Sequence, residues 1–338
     1  MLFGGIMKKI LYIGISLVCI GLMLVTVFSS RKHNEKEETI VFRLAEIHPQ
    51  KYPTTRGDQK FADLVKERTD GRIQIKVFHS GQLGEEKSII EQVQFGAIDF
   101  ARVSVSPFCE FAPKLNVLLM PYIFRDENHA LKVLQGEIGD ELLASLDGSG
   151  FLGLGWFDSG ARNFYNSKRE IKKPEDLKGL RIRVQETEIM NQLISHFGAS
   201  VIPMGFGEVY QGLQTNSIDG AENNFPSYES ASHYQVAGFY TIDEHFRIPE
   251  ILIASSIVMD KLSVDDIKII QQAALDAFVH QMVEWKKEEI RAEKIVREGG
   301  AVITKIDNKQ EWIDSMKFIY EQQSEEMQQL IKRIQEVK

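Results

Sequence analysis

In Leu180-Arg181-Ile182-Arg183-Val184 basic and apolar residues alternate with period two. A strand over this segment carries its two arginines on one face and its apolar residues on the other. Arg183 stands at the carboxyl end of that strand, just before a helix start near Thr187. Open α/β sheets place ligands at that end, and helix N-termini favour anions. A guanidinium there can grip a carboxylate with two parallel hydrogen bonds, which a lysine cannot do. On these residues alone a second reading stands beside the first, with Arg183 as a solvated strand residue.

Other chemistries lack their residues. Gly153-Leu-Gly155-Trp-Phe-Asp158 fails a dinucleotide fingerprint at the third glycine, and no phosphate loop or Gly-x-Ser-x-Gly is present. His79, His129, His196 and His233 never fall at metal-ligand spacing. Glu85 and Glu86 are adjacent, so their side chains diverge, whereas glycoside hydrolysis needs carboxylates facing each other roughly 5–9 Å apart. The sequence offers no catalytic constellation, and no enzyme, metal or cofactor is expected. A net charge of −8 and a pI near 5.6 argue against a nucleic-acid partner, which needs a basic face.

The elements around Arg183 read as α/β. Ile40–Ala45 and Ile73–Val77 are strand-like, and helices carry Phe61, Leu64 and Val65, then Ile89, Ile90 and Val93, on one face. The sequence Gln94-Phe-Gly-Ala-Ile-Asp99 is echoed by Gln214-Thr-Asn-Ser-Ile-Asp219. Each reads as a helix, a left-handed stop at Gly96 or Asn216, then a short strand. Coincidence over six residues would explain the echo, and so would two lobes of similar construction with a cleft between them. Ser263 reads as the N-cap of a helix to Glu298, and an apolar stripe from Met316 to Ile334 predicts a last helix from about Gln310 to Val337.

At 338 residues the chain suits about two domains. Lys8 and Lys9 precede an apolar run from Ile10 to Phe28, the layout of an export signal, or of an uncleaved membrane anchor given its length. Met7 is an alternative start. Cys19 lacks the preceding small residue of a lipoprotein, and Cys109 is expected to be buried. The expected organisation is a signal or anchor over 1–30, a polar lead over 31–39, a first lobe mainly within 40–160, a second mainly within 161–255, and a helical segment over 256–338 packing across both. The domain is expected outside the cytoplasm.

Four segments occur in order: Gly160-Ala-Arg162-Asn-Phe-Tyr165, Leu177-Lys-Gly-Leu-Arg-Ile-Arg183-Val184, Pro203-Met-Gly-Phe206-Gly-Glu-Val-Tyr210 and Leu213-Gln-Thr-Asn-Ser-Ile-Asp-Gly-Ala-Glu-Asn223. Together they closely resemble the substrate-binding proteins of tripartite ATP-independent periplasmic (TRAP) transporters, in the C4-dicarboxylate-binding-like family, over roughly residues 40–335. The resemblance implies a two-lobed periplasmic-binding-protein-like fold with a cleft between lobes and long C-terminal helices. It implies capture of a small organic acid for a membrane permease, and an Arg183–carboxylate salt bridge. By the same resemblance Arg162, Asn223, Phe206, His48 and Glu86 fall on ligand-binding positions. The chain departs from the sialic-acid-binding branch at Asp99-Phe-Ala-Arg102-Val-Ser104, where Arg102 stands near an otherwise acidic position. With Arg102, His48 and Glu86 beside the expected cleft, the site suits a hydroxylated acid. The overall look is closest to members that bind hexuronates such as glucuronate or galacturonate. A C4-dicarboxylate or other small carboxylate, a sensor domain, and an extracellular sugar-acid enzyme are the alternatives. A monomer is expected.

Overall fold

A computed structural model describes residues 38–306 and 308–338. The expected signal or anchor, Cys19 and most of the polar lead lie outside these residues. Two sheets organise the described chain. The first holds β1 (Ile40–Ala45), β2 (Ile73–Phe78), β3 (Phe100–Ser104), β4 (Phe151–Phe157) and β10 (Glu250–Ser255), in spatial order β2-β1-β3-β10-β4. The second holds β5 (Asn163–Asn166), β6 (Arg181–Val184), β7 (Ser200–Pro203), β8 (Gly220–Asn223), β9 (Phe239–Ile242) and β11 (Val302–Lys305), in order β11-β9-β5-β8-β6-β7. Parallel pairs (β1 with β3, β6 with β7) sit beside antiparallel ones made where the chain crosses between sheets. Mixed α/β architecture with two sheets and flanking helices is the expected fold class.

The crossings matter for the site. The chain passes from β4 to β5 through residues 158–162 and returns from β9 to β10 through residues 243–249. These two stretches run side by side: Arg162 bridges Phe246, its N–H donating to the Phe246 carbonyl at 2.7 Å, and Arg247 pairs with Asp158 at 3.1 Å. The return of β10 puts residues 250–255 in the first sheet, beyond the first-lobe limit that chain order suggests. All six of its residues are buried, wedged antiparallel between β3 and β4, and such a central position cannot be read from order along the chain.

Helix α1 (Pro53–Arg68) covers the first sheet with Phe61, Leu64 and Val65 buried, and α2 (Glu86–Gln94) buries Ile89, Ile90 and Val93. Gly96 and Asn216 adopt φ of +73° and +55°, so both halves of the sequence echo end a helix with a left-handed residue before β3 and β8. In the second lobe lie α3 (Glu188–His196), capped by Thr187, and α4 (Phe225–Ser230), capped by Asn224. The long α5 (Val264–Glu298) starts at Ser263, whose hydroxyl accepts from the Asp266 N–H, and it touches α1, β4 and α4. Among the described residues no helix is long and apolar enough to cross a membrane. Cys109 is buried and unpaired, its thiol pushed upward in pKa by burial.

The predicted last helix is corrected. The chain makes three short helices instead, Lys309–Ser315, Lys317–Glu321 and Glu325–Glu336. The Ser315 hydroxyl donates to the Trp312 carbonyl at 2.7 Å, and Ser324 caps a fresh helix by accepting from the Met327 N–H. Met316, Ile319, Leu330, Ile331 and Ile334 are still buried, so the stripe keeps its core while the backbone bends along it.

Candidate functional site

Between the two sheets lies a narrow chamber, lined from the first lobe by Ile47, His48, Tyr52, Glu86 and Glu250, and from the second by Arg162, Arg183, Gln185, Phe206, Asn223, Asn224 and Ser227. Larger surface cavities exist, including one of about 1290 Å³ bounded by Tyr122, Arg247 and Glu293. That cavity holds none of the residues that the sequence singled out, whereas a second pocket alongside the chamber shares Glu86, Arg183, Gln185 and Phe206 with it. Six of the seven do meet in the chamber: His48, Glu86, Arg162, Arg183, Phe206 and Asn223.

Arg183 is the third of the four residues of β6, and the alternation of that strand turns it opposite to Ile182. Its Nε and Nη2 both donate to the Met204 carbonyl, at 2.9 and 2.7 Å. The side chain is only 3 % exposed, and among the described residues no carboxylate lies within ion-pair distance of it. Burial pulls its pKa below the ordinary arginine value, opposed chiefly by Glu222, yet a guanidinium stays cationic. A buried cation without a counter-ion is costly. An anion entering beside Arg183 would offset that cost.

Arg162 differs. Its guanidinium is held side-on by Glu222, with Nε to one carboxylate oxygen and Nη2 to the other at 2.8 Å, while Nη2 also donates to the Glu222 carbonyl at 3.0 Å. The antiparallel register of β5 on β8 opposes Asn163 to Asn223 and Phe164 to Glu222, which brings the pair together across 60 residues of chain. Asn223 closes β8, and its carboxamide oxygen accepts from the Asn224 N–H at 2.9 Å.

Phe206 sits between Gly205 and Gly207, with its ring centroid 5.3 Å from that of His48 across the cleft. The glycines allow close approach without displacing the Glu85 side chain: a Cβ on Gly205 or Gly207 would stand 3.1 or 2.7 Å from the Glu85 carboxylate of the first lobe. His48 stacks on Tyr52 with centroids 4.0 Å apart, and its Nδ1 lies 2.8 Å from Glu46. Burial lowers the His48 pKa to about 4, only partly opposed by Glu250, so at neutral pH the ring is uncharged. The Tyr52 hydroxyl reaches Ser227 at 2.7 Å and Asn224 at 3.3 Å, which ties α1 to α4 across the cleft.

Arg102 is the exception among the seven. It is fully buried behind the chamber wall, ion-paired to Glu46 and Glu250, with Asp58 at 3.6 Å and His48 Nδ1 at 3.1 Å. Its charge is consumed by these carboxylates, and burial raises the Asp58 pKa well above the ordinary range, with Glu250 adding to the shift. Arg102 props the first-lobe wall and is not among the chamber-lining residues.

Glu86 opens α2 and accepts from the Ser104 N–H at 2.7 Å. Burial and then Glu250 and Glu85 raise its pKa to about 8, against a downward pull from that hydrogen bond and from Arg183. A raised carboxyl pKa means that the folded chain holds this proton more tightly, and the associated stabilisation fades as pH rises through 8. An anion in the chamber favours the protonated form further. Affinity for a carboxylate ligand is therefore expected to hold from pH 6 to 7.5 and to weaken above 8, by up to about tenfold per pH unit. Calorimetric titration across that range checks this, and Glu86→Gln should flatten the profile.

Sequence reasoning missed Tyr52, Asn224, Ser227, Gln185 and Glu250. Asn224 had a signal, since Asn-Phe-Pro-Ser reads as a helix cap with proline in the first turn, and Gln185 follows Arg183 with strand spacing. Glu250 had none, because only the return of β10 brings it to Ser104, its register partner. Among the described residues no group of three His, Cys, Asp or Glu side chains could hold a metal ion.

Comparison with known proteins matches residues 44–326 to the family described as bacterial extracellular solute-binding protein, family 7. A TRAP periplasmic solute-binding protein from Bradyrhizobium sp. BTAi1, solved in complex with galacturonate, is 41 % identical with a TM-score of 0.85, covering 87 % of this chain and 99 % of that one. One from Chromohalobacter salexigens with bound D-glucuronate is 37 % identical with a TM-score of 0.85, covering 88 % and 100 %. The 2,3-diketo-L-gulonate-binding periplasmic protein of Escherichia coli K12 is 34 % identical over 74 % of this chain and 76 % of its own length. The chain belongs to this family of extracellular solute-binding proteins, those of TRAP transporters.

Proposed function

We propose that this protein captures a hexuronate such as glucuronate or galacturonate outside the cytoplasm and delivers it, chemically unchanged, to a TRAP permease. The observation that carries the reading is Arg183, a buried guanidinium with no carboxylate partner, facing a chamber otherwise rich in neutral hydrogen-bonding groups. A ligand with one carboxylate and several hydroxyls complements that wall. A bare dicarboxylate would bring a second charge with no second unpaired cation among the described chamber residues to meet it, since Arg162 is taken by Glu222. The galacturonate and glucuronate in the two solved structures support the same ligand class. Closure of the two lobes around the crossings would secure the ligand, through contacts that exist only when both lobes engage it.

A ligand bound only by the folded state raises the melting temperature. Glucuronate and galacturonate are expected to raise it by several degrees at millimolar concentration, and glucose and galactose to leave it within a degree, since a neutral sugar leaves Arg183 without a counter-charge. Equal shifts with glucose and glucuronate would overturn the reading. Recovery of unaltered ligand after incubation checks that no chemistry is done on it.

A further inference from the structure

We infer that Gln185 determines specificity in the chamber by accepting a hydrogen bond from a ring hydroxyl of the ligand, so that hydroxylated acids are selected over bare ones. The inference rests on the hexuronate reading and adds a residue to it. Gln185 stands two positions after Arg183, on the same face of the extended chain, and lines the same chamber. Successive same-face residues are separated by about 6.6 Å. That is about the span from the carboxylate of a hexuronate to the far hydroxyls of its ring. A ligand whose carboxylate is held by Arg183 therefore extends its hydroxyls toward Gln185.

The side chain is built for a partner that the protein does not supply. Gln185 is 8 % exposed, and its Oε1 is buried with no hydrogen-bond donor among the described residues. Its backbone carbonyl is occupied, taking the Thr187 N–H at 2.8 Å in the turn that leads to α3. That turn fixes where the side chain leaves the backbone. The two guanidiniums on its own side of the chamber are held elsewhere: that of Arg162 by Glu222, and that of Arg183 on the Met204 carbonyl. An orphaned buried acceptor weakens the empty protein, because its water is lost and nothing replaces it. A ligand hydroxyl restores the missing bond.

Two variants test this, each read with and without ligand. Gln185→Met keeps the volume and removes the acceptor; Gln185→Ala removes both and guards against misfit of the thioether. The ligand-free melting temperature of Gln185→Met is expected to equal or exceed that of the wild type, because the orphan acceptor is gone; a structural role would lower it. Titration calorimetry with glucuronate should show both variants weakened roughly ten- to hundredfold, the range expected when a ligand hydroxyl is left buried without its acceptor. Wild-type binding with both variants within threefold of it overturns this inference and leaves the hexuronate reading intact. No binding of glucuronate or galacturonate by the wild type overturns both.

Discussion

Arg183→Lys is expected to weaken hexuronate binding about thirty- to several-thousand-fold although the charge is conserved. The guanidinium is split between two tasks. Its Nε and Nη2 hold the Met204 carbonyl, which fixes the plane, and the remaining donors face the chamber. A lysine ammonium has no such fork, and it is more strongly hydrated, so it enters a closed site at greater cost. Disturbing one half of a buried charged contact typically costs ~2–5 kcal/mol. Arg181 supplies the control. It belongs to the same strand, but its side chain is 41 % exposed and already paired with Asp219 through Nε at 3.0 Å and Nη2 at 2.8 Å. Arg181→Lys should change affinity less than threefold, as exposed ion pairs contribute ~0–1 kcal/mol. Titration calorimetry on both variants decides it: if they behave alike, the carboxylate does not sit on Arg183.

The contrast between those two arginines shows how far local patterning reaches. Period-two alternation separates Arg181 and Arg183 from Ile182, and the helix start at Thr187 marks the carboxyl end of the strand, so the proposed anion-binding role of Arg183 follows from the seven residues Arg181 to Thr187. The same local logic finds Ser263 at the head of α5 and the left-handed stops at Gly96 and Asn216, because caps and positive-φ residues act on their immediate neighbours. It fails where partners come from distant segments. Arg102 lies in β3, next to the chamber in sequence, yet Glu46, Asp58 and Glu250 converge on it from three other elements and draw it inward. Nothing near Arg102 announces those carboxylates. The motif match found Arg162 as a cleft residue, but its bond to Glu222 arises only from the β5–β8 register. The three-part C-terminal helix fails differently: an apolar stripe reports which face is buried, and it is silent on whether one backbone helix carries it.

The Arg162–Glu222 pair should respond with opposite signs to loss of its two halves. Both side chains are almost wholly buried, at 3 % and 1 % exposure. Removing either partner leaves a buried charge uncompensated, at ~3–5 kcal/mol, so Arg162→Gln and Glu222→Gln should each lower the ligand-free melting temperature by several degrees. Ligand separates them. In Glu222→Gln the freed Arg162 joins Arg183 as a second cation on the chamber wall, and an entering carboxylate compensates both. The thermal shift produced by glucuronate should then exceed that of the wild type. In Arg162→Gln the bare Glu222 carboxylate remains beside the anion site, and at ~4–6 Å like charges repel strongly in so dry an environment. The glucuronate shift should nearly vanish. Melting curves of the three proteins with and without glucuronate make the comparison. Single variants that melt like the wild type would show that the pair is not a coupled unit. A Glu222→Gln protein that loses its response as fully as Arg162→Gln would show that Arg162 does not face the ligand, leaving Arg183 as the only cation of the wall that meets it.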